Sequence, residues 1–190
     1  ADLWHKTLQG LGFQMRPPLR DQDATRDGIV AALSSLIGEA RAGDTLVVQY
    51  AGHGAQVPDV DGDEAGGDTP GEDEALCPVD FADGRFVIDD DIAALVARLP
   101  DGAQLTFLLD CCHSGTGSRF AGNPADQKPV DPTARARFVR MTDALRQAHR
   151  ADREGMAAGR GKAASPRFGF GGPAQRASMR EGCFAACQAH

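Results

Sequence analysis

A chain of 190 residues, 42% of them hydrophobic, is long enough to bury the core of one domain. Its net charge of −7 is unevenly spread: residues 1–118 carry 21 acidic and 7 basic side chains, whereas residues 119–180 carry 5 and 13. No apolar run reaches the ~20 residues of a membrane helix, the opening residues do not read as a signal peptide, and five irregularly spaced cysteines exclude a disulfide scaffold. Free thiols suit a reducing compartment, so a cytoplasmic location is expected.

In chain order, Leu3, Leu8, Leu11 and Phe13 predict a short amphipathic helix that runs into an extended segment, with Gly10 and Gly12 marking its end. Pro17-Pro18 forbids helix. Asp23-Ala24-Thr25 opens a second helix, with Ile29, Val30, Leu33, Leu36 and Ile37 on one face and Gly38 near its close. Gly43-Asp44 turns the chain into a β-branched strand over 45–50. Residues 58–78 are acidic and Gly-rich and read as a long ordered or metal-held loop. Phe86-Val87-Ile88 reads as a short strand or turn. Asp89-Asp90-Asp91 then caps a helix bearing Ile92, Leu95, Val96 and Leu99, the acids favouring its N-terminal dipole. Pro100-Asp101-Gly102 ends that helix, and residues 105–109 form the next strand. Strand, helix, strand over this length is a βαβ unit, which predicts an α/β fold with a mostly parallel sheet flanked by helices.

Gly, Pro, Ala and Arg dominate residues 116–180, with one helical patch over 134–151 and a flexible stretch expected over 155–172. The basic side chains lack aromatic interleaving, so the stretch reads as a solvated insert and no nucleic-acid partner is expected. Ala1-Asp2-Leu3-Trp4 opens in mid-helix, and Cys183 to Cys187 looks like a strand just beginning, so truncation at both ends is expected. The division is a core over 1–118, an insert over 119–180 and the start of a further strand over 181–190.

Two apolar strands each lead into a reactive run: Tyr50-Ala51-Gly52-His53-Gly54 and Asp110-Cys111-Cys112-His113-Ser114-Gly115. The carboxyl ends of neighbouring parallel strands are where α/β sheets place chemistry. A nucleophilic cysteine reacts as thiolate and needs a base. Alternation along the strand points Asp110 and Cys112 one way and Cys111 into the core, so Cys112 is the nucleophile and His53 its base. His113, adjacent to Cys112 on an extended chain, diverges from it. The backbone amides of Gly54 and Cys112 are candidate oxyanion donors. Taken singly, the cysteines read as small buried hydrophobes and His53 as a loop histidine; their Gly-flanked contexts together favour catalysis. An EF-hand reading of Asp61, Asp63, Gly66 and Glu72 fails because proline-rich, strand-like flanks replace the two helices. Zinc at Cys111, Cys112, Cys183 and Cys187 fails on divergence and spacing.

Five runs in order resemble a metacaspase-type peptidase of the caspase clan. They are Tyr50-Ala51-Gly52-His53-Gly54, Asp59-Val60-Asp61-Gly62-Asp63-Glu64, Asp73-Glu74-Ala75-Leu76-Cys77-Pro78-Val79-Asp80-Phe81, Ile88-Asp89-Asp90-Asp91-Ile92, and Asp110-Cys111-Cys112-His113-Ser114-Gly115. The resemblance covers about residues 2–117 and resumes at Cys183-Phe184-Ala185-Ala186-Cys187, which is similar to the opening strand of the small subunit. It implies a caspase-hemoglobinase fold, a His53–Cys112 dyad, and cleavage of protein or peptide substrates after Arg or Lys. It also implies an S1 pocket lined by Asp110 and by Asp21 of Leu19-Arg20-Asp21; carboxylates suit a guanidinium or ammonium. Calcium activation through Asp73, Asp89 and Asp90 is implied as well, although the chain has Gly117-Ser118-Arg119 where the family carries a fourth acid. No organic cofactor is expected, and a monomer is. A peptidase with an acidic pocket is expected to cut itself within the basic 119–180 stretch. The alternative is a catalytically silent caspase-like scaffold or calcium-sensing module.

Overall fold

The structure is a computed structural model and describes residues 2–60, 62, 71–111 and 139–157, together with the backbone of 181–185. Helix α1 (Asp2–Gly10) opens it. Thr25 starts helix α2 (Arg26–Gly38) by accepting the Gly28 amide at 3.1 Å, and α2 buries Leu33 and Ile37. Strand β1 (Thr45–Ala51) then runs parallel to β5 (Gln104–Asp110), in register from Thr45↔Gln104 to Ala51↔Asp110. Strand β6 (Glu181–Ala185) pairs in parallel on the other edge of β5, so the sheet order is β1-β5-β6. Burial alternates along β5. Leu105, Phe107 and Leu109, with Cys111 just beyond, enter a core made with Leu33 and Ile37 of α2 and Ile92 and Leu95 of helix α3 (Asp89–Val96). This is the parallel sheet with flanking helices that the alternation of strand and helix predicts.

A second, antiparallel sheet of order β2-β3-β4 adjoins it: β2 (His53–Pro58), β3 (Glu72–Cys77) and β4 (Val87–Ile88). Part of the long loop expected over 58–78 is thus a strand, paired from His53↔Cys77 to Pro58↔Glu72. Its acidic start, Glu72-Asp73-Glu74, hides the strand's period, because Asp73 is buried although it is an acid. Helix α3 starts directly at Asp89, and its N-cap Ile88 supplies no side-chain bond. The three aspartates therefore sit inside the first turn rather than before it.

The basic stretch is only partly a solvated insert. Helix α4 runs over Asp143–Ala157, later than the 134–151 expected, and its His149 is completely buried. Val139 and Met141 pack on the second core, formed by Ala55, Val57, Ala75, Cys77, Phe86 and Ile88. Gly84 (φ +81°) lets the chain pass directly beneath α4: a Cβ there would lie 2.3 Å from the Ala148 carbonyl carbon. His149 donates from Nδ1 to the Gly84 carbonyl at 3.3 Å and meets Phe86 edge-on at 5.6 Å, while its Nε2 is buried without a partner.

Burial lowers the His149 pKa below its ordinary 6.5, outweighing the opposing bond to Gly84; Arg153 lowers it further, while Asp152 and Asp91 oppose. The folded state therefore binds fewer protons than the unfolded one below pH 6.5. The stability that docking contributes is fully present above that pH and is lost as pH falls through the folded pKa. Protection of α4 amides, measured against their intrinsic exchange rates at each pH, is expected to fall more than that of β5 as pH drops below 6.5.

Candidate active site

The register Ala51↔Asp110 brings the ends of β1 and β5 side by side, and the Gly52 amide donates to the Asp110 carbonyl at 3.3 Å. His53 follows immediately, exposed, as the first residue of β2. Beyond Asp110, Cys111 is 2% exposed and belongs to the core. Its backbone leads straight to Cys112, which with His113 and Gly115 lies outside the described residues. The two reactive runs of the sequence thus leave the sheet from adjacent strands.

Tyr50 organises the bend between β1 and β2. Its hydroxyl lies 2.8 Å from the His53 carbonyl and 3.0 Å from the Cys77 carbonyl, so one O–H serves two acceptors. Burial, with the Cys77 and Cys111 thiols adding to it, pushes its ionisation far upward and keeps it a neutral donor. A Cβ on Gly52 would stand 2.5 Å from that hydroxyl. Glycine is therefore needed between Tyr50 and His53 for packing, although its φ is ordinary. Tyr50 heads the run that carries His53, but the sequence assigns it no role.

Cys77 stands opposite His53 in the β2–β3 register, but burial pushes its thiol up to about 12. It remains protonated at neutral pH and is a poor nucleophile. Gly54, whose amide is an oxyanion candidate, is buried and accepts the Val139 amide on its carbonyl at 2.9 Å. The segment before α4 therefore lies against the edge of β2, one residue from His53.

Asp110 is half-buried at the end of β5. Asp21 is exposed in a 3₁₀ turn (Asp21–Asp23) with φ +47°, a left-handed conformation that aspartate tolerates better than most residues. That turn is tied toward His53. The Ala24 carbonyl accepts the Val79 amide at 3.0 Å, and Val79 lies two residues beyond Cys77, the cross-strand partner of His53.

The three acids implied for calcium occupy a different place. Asp73 on β3 and Asp89 and Asp90 on α3 are buried. Beside them Asp91 pairs with Arg26 of α2 at 3.0 Å and with Arg153 of α4 at 2.9 Å. Among the described residues no group of three or more His, Cys, Asp or Glu side chains is placed to hold a metal. Arg153, held by Asp91, is also drawn by the charges of Asp73 and Asp90, while one carboxylate oxygen each of Asp89 and Asp90 is buried without a hydrogen bond. Glu72, the last position of the EF-hand reading, opens strand β3, while Asp61, Asp63 and Gly66 lie outside the described residues. Among the described residues no helix is long and apolar enough to cross a membrane.

Residues 13–119 match the metacaspase, peptidase C14 domain. Metacaspase-1 of Meyerozyma guilliermondii is 44% identical over 98 residues, which cover 51% of this chain and 23% of that protein. Metacaspase-1 of Cryptococcus neoformans var. neoformans serotype D (strain JEC21) is 44% identical over 96 residues, covering 50% and 20%. The chain therefore spans about a quarter or less of the length of these relatives. A Geobacter sulfurreducens protein of known crystal structure superposes with a TM-score of 0.59 at 28% identity, over 83% of this chain and 52% of that one. With the domain match covering more than half of its residues, in an α/β frame that brings the two motif-bearing strands together, the chain belongs to the metacaspase family of C14 peptidases.

Proposed function

We propose that this chain carries the His–Cys centre of a cysteine endopeptidase that cleaves after Arg or Lys. The observation that supports it most is the parallel register of β1 and β5, which ends the two strands that lead toward His53 and Cys112 at the same level. His53 takes the thiol proton of Cys112, and the thiolate attacks the scissile carbonyl. The C–N bond breaks as the amine leaves with a proton from the imidazolium. Water then releases the acyl-enzyme and restores the thiol. The Gly54 and Cys112 amides are the donors proposed for the oxyanion.

Specificity in this reading rests on Asp110 and Asp21, which offer carboxylates to a basic side chain on a part of the protein already rich in negative charge. The same preference makes the chain its own candidate substrate. Packing holds residues 139–157, so the proposed cuts fall on basic residues to either side, among them Arg160 and Lys162.

The test is hydrolysis of two fluorogenic peptides, one ending in Arg and one in Asp, by the wild-type chain and by Cys112→Ala. Release from the Arg peptide that disappears in the variant, together with self-cleavage seen only in the wild type, is the expected result. Release from the Asp peptide alone, or Arg release that survives in Cys112→Ala, overturns the reading. Silence toward both peptides by a folded protein favours a non-catalytic scaffold instead.

A further inference from the structure

The chain leaves one sheet and enters the other within a single residue: β1 ends at Ala51 and β2 begins at His53, with only Gly52 between them. His53 and Cys77 form the terminal pair of the β2–β3 ladder, and the end of a ladder is where strands fray. The exposed His53 side chain is thus carried on backbone at the margin of its sheet. What steadies that backbone comes from the core. Tyr50 pairs with Leu109 in the β1–β5 register and packs on the first core. From there its hydroxyl reaches the carbonyls of His53 and Cys77, at 2.8 and 3.0 Å, one on each strand of the terminal pair. The Gly52 amide, on the Asp110 carbonyl at 3.3 Å, ties the intervening residue to β5. The junction has no room to spare: a Cβ at Gly52 would stand 2.5 Å from the same hydroxyl and 2.7 Å from the ring carbon that bears it.

We propose that Tyr50 is the positioning residue of the catalytic base: its hydroxyl clamps the carbonyls of His53 and Cys77 and thereby fixes where His53 presents its imidazole. The proposal rests on the reading of His53 as the base of Cys112 given above. An imidazole that takes a thiol proton must lie within hydrogen-bond reach of it, so a displacement of about 1 Å lowers the rate on the order of a hundredfold. A tyrosine suits the task because its flat ring turns about only two side-chain torsions. Anchored in the core, it carries the position of β1 to the first residue of β2. Phenylalanine would fill the same space but leave both carbonyls without that donor. Sharing the O–H between two carbonyls also explains how a hydroxyl is accommodated against an apolar core, where an unmade bond is costly. The clamp acts through His53, so its loss is read in turnover rather than in substrate binding.

The experiment compares the full chain as wild type, Tyr50→Phe and Ile37→Val. Ile37 is buried at the C-terminal end of α2, away from the Ala24–Val79 bond, so its variant reports what a small loss of stability does by itself. Hydrolysis of the Arg-ended peptide is read well below each melting temperature, together with NMR signals of the His53 imidazole and amide. Tyr50→Phe is expected to lower kcat about 10- to 100-fold with KM within about threefold, and to broaden or split the His53 signals. Ile37→Val is expected to melt lower with kcat, KM and the His53 signals kept. A folded Tyr50→Phe with kcat within a few-fold of wild type overturns the inference and leaves the peptidase reading standing. A loss carried by KM alone, or an equal kcat loss in Ile37→Val, overturns it as well. Unchanged His53 signals in Tyr50→Phe do so whether or not the wild type cuts the peptide. If the wild type is silent, the peptidase reading fails, and altered His53 signals in Tyr50→Phe still support the clamp. If Tyr50→Phe does not fold, the wild type decides. Tyr50 is the chain's single tyrosine, so its hydroxyl proton is identifiable. A proton that exchanges slowly with water supports the clamp, and one lost at once to water overturns it.

Discussion

His53→Ala is expected to lower kcat/KM for an Arg-ended peptide by about 10²- to 10⁴-fold, the range for removing a positioned base, with the melting temperature nearly unchanged. Both halves follow from where the residue sits. Its side chain is exposed, so truncation opens no cavity. Its backbone is held through its carbonyl by the Tyr50 hydroxyl and by pairing with Cys77, neither of which depends on the imidazole. An intact fold with lost activity therefore reports chemistry. The measurement is steady-state hydrolysis alongside thermal melting. If His53→Ala kept activity within a few-fold, the base would have to be sought at His113 instead. Cys111→Ala is the companion control: its thiol is in the core, so stability falls modestly while the reaction persists.

Gly84→Ala is expected to cost about 2–4 kcal/mol, combining left-handed strain with overpacking, and to release α4. The new Cβ would lie 2.3, 2.5 and 2.6 Å from backbone atoms of Ala148 and His149. Those are main-chain atoms of a helix, which cannot swing aside as the tip of a long side chain would. Either α4 lifts or the loop between β3 and β4 moves. Both separate His149 from Phe86 and open the second core. Urea denaturation reads the loss, and trypsin cleavage at Arg146, Arg150 and Arg153 reads the helix. Gly38→Ala is the contrast, since a Cβ at Gly38 meets nothing within 4 Å and its backbone is helical. That variant should be neutral or slightly stabilising.

The elements legible in the sequence are those whose burial is local and apolar. The strands β1 and β5 and the helices α2 and α3 announce themselves because their own side chains form the first core. Strands β2 and β3 do not, since Gly54, Pro58 and three consecutive acids interrupt the pattern and the burial of Asp73 depends on charges elsewhere. Helix α4 is legible as a helix but not as a packed one, because its fully buried residue is a histidine among many charged neighbours. The acids at the start of α3 illustrate the same limit. A partner of Asp91 in that turn, Arg153, stands 62 residues away. Tyr50 stands in the His53 run, yet its work does not show there, because it is done through the carbonyls of His53 and Cys77.

Strand β5 has backbone neighbours on both edges, and the one at its second edge, β6, comes from beyond the basic stretch. While the chain is continuous, bringing β6 home is a loop-closure event with a modest entropic cost. Once the connection is severed, the same five residue pairs must hold two separate polypeptides together, and their association becomes a matter of mass action. A nicked molecule would then fall apart on dilution where an intact one does not, so a single backbone cut would turn a concentration-independent fold into a concentration-dependent one.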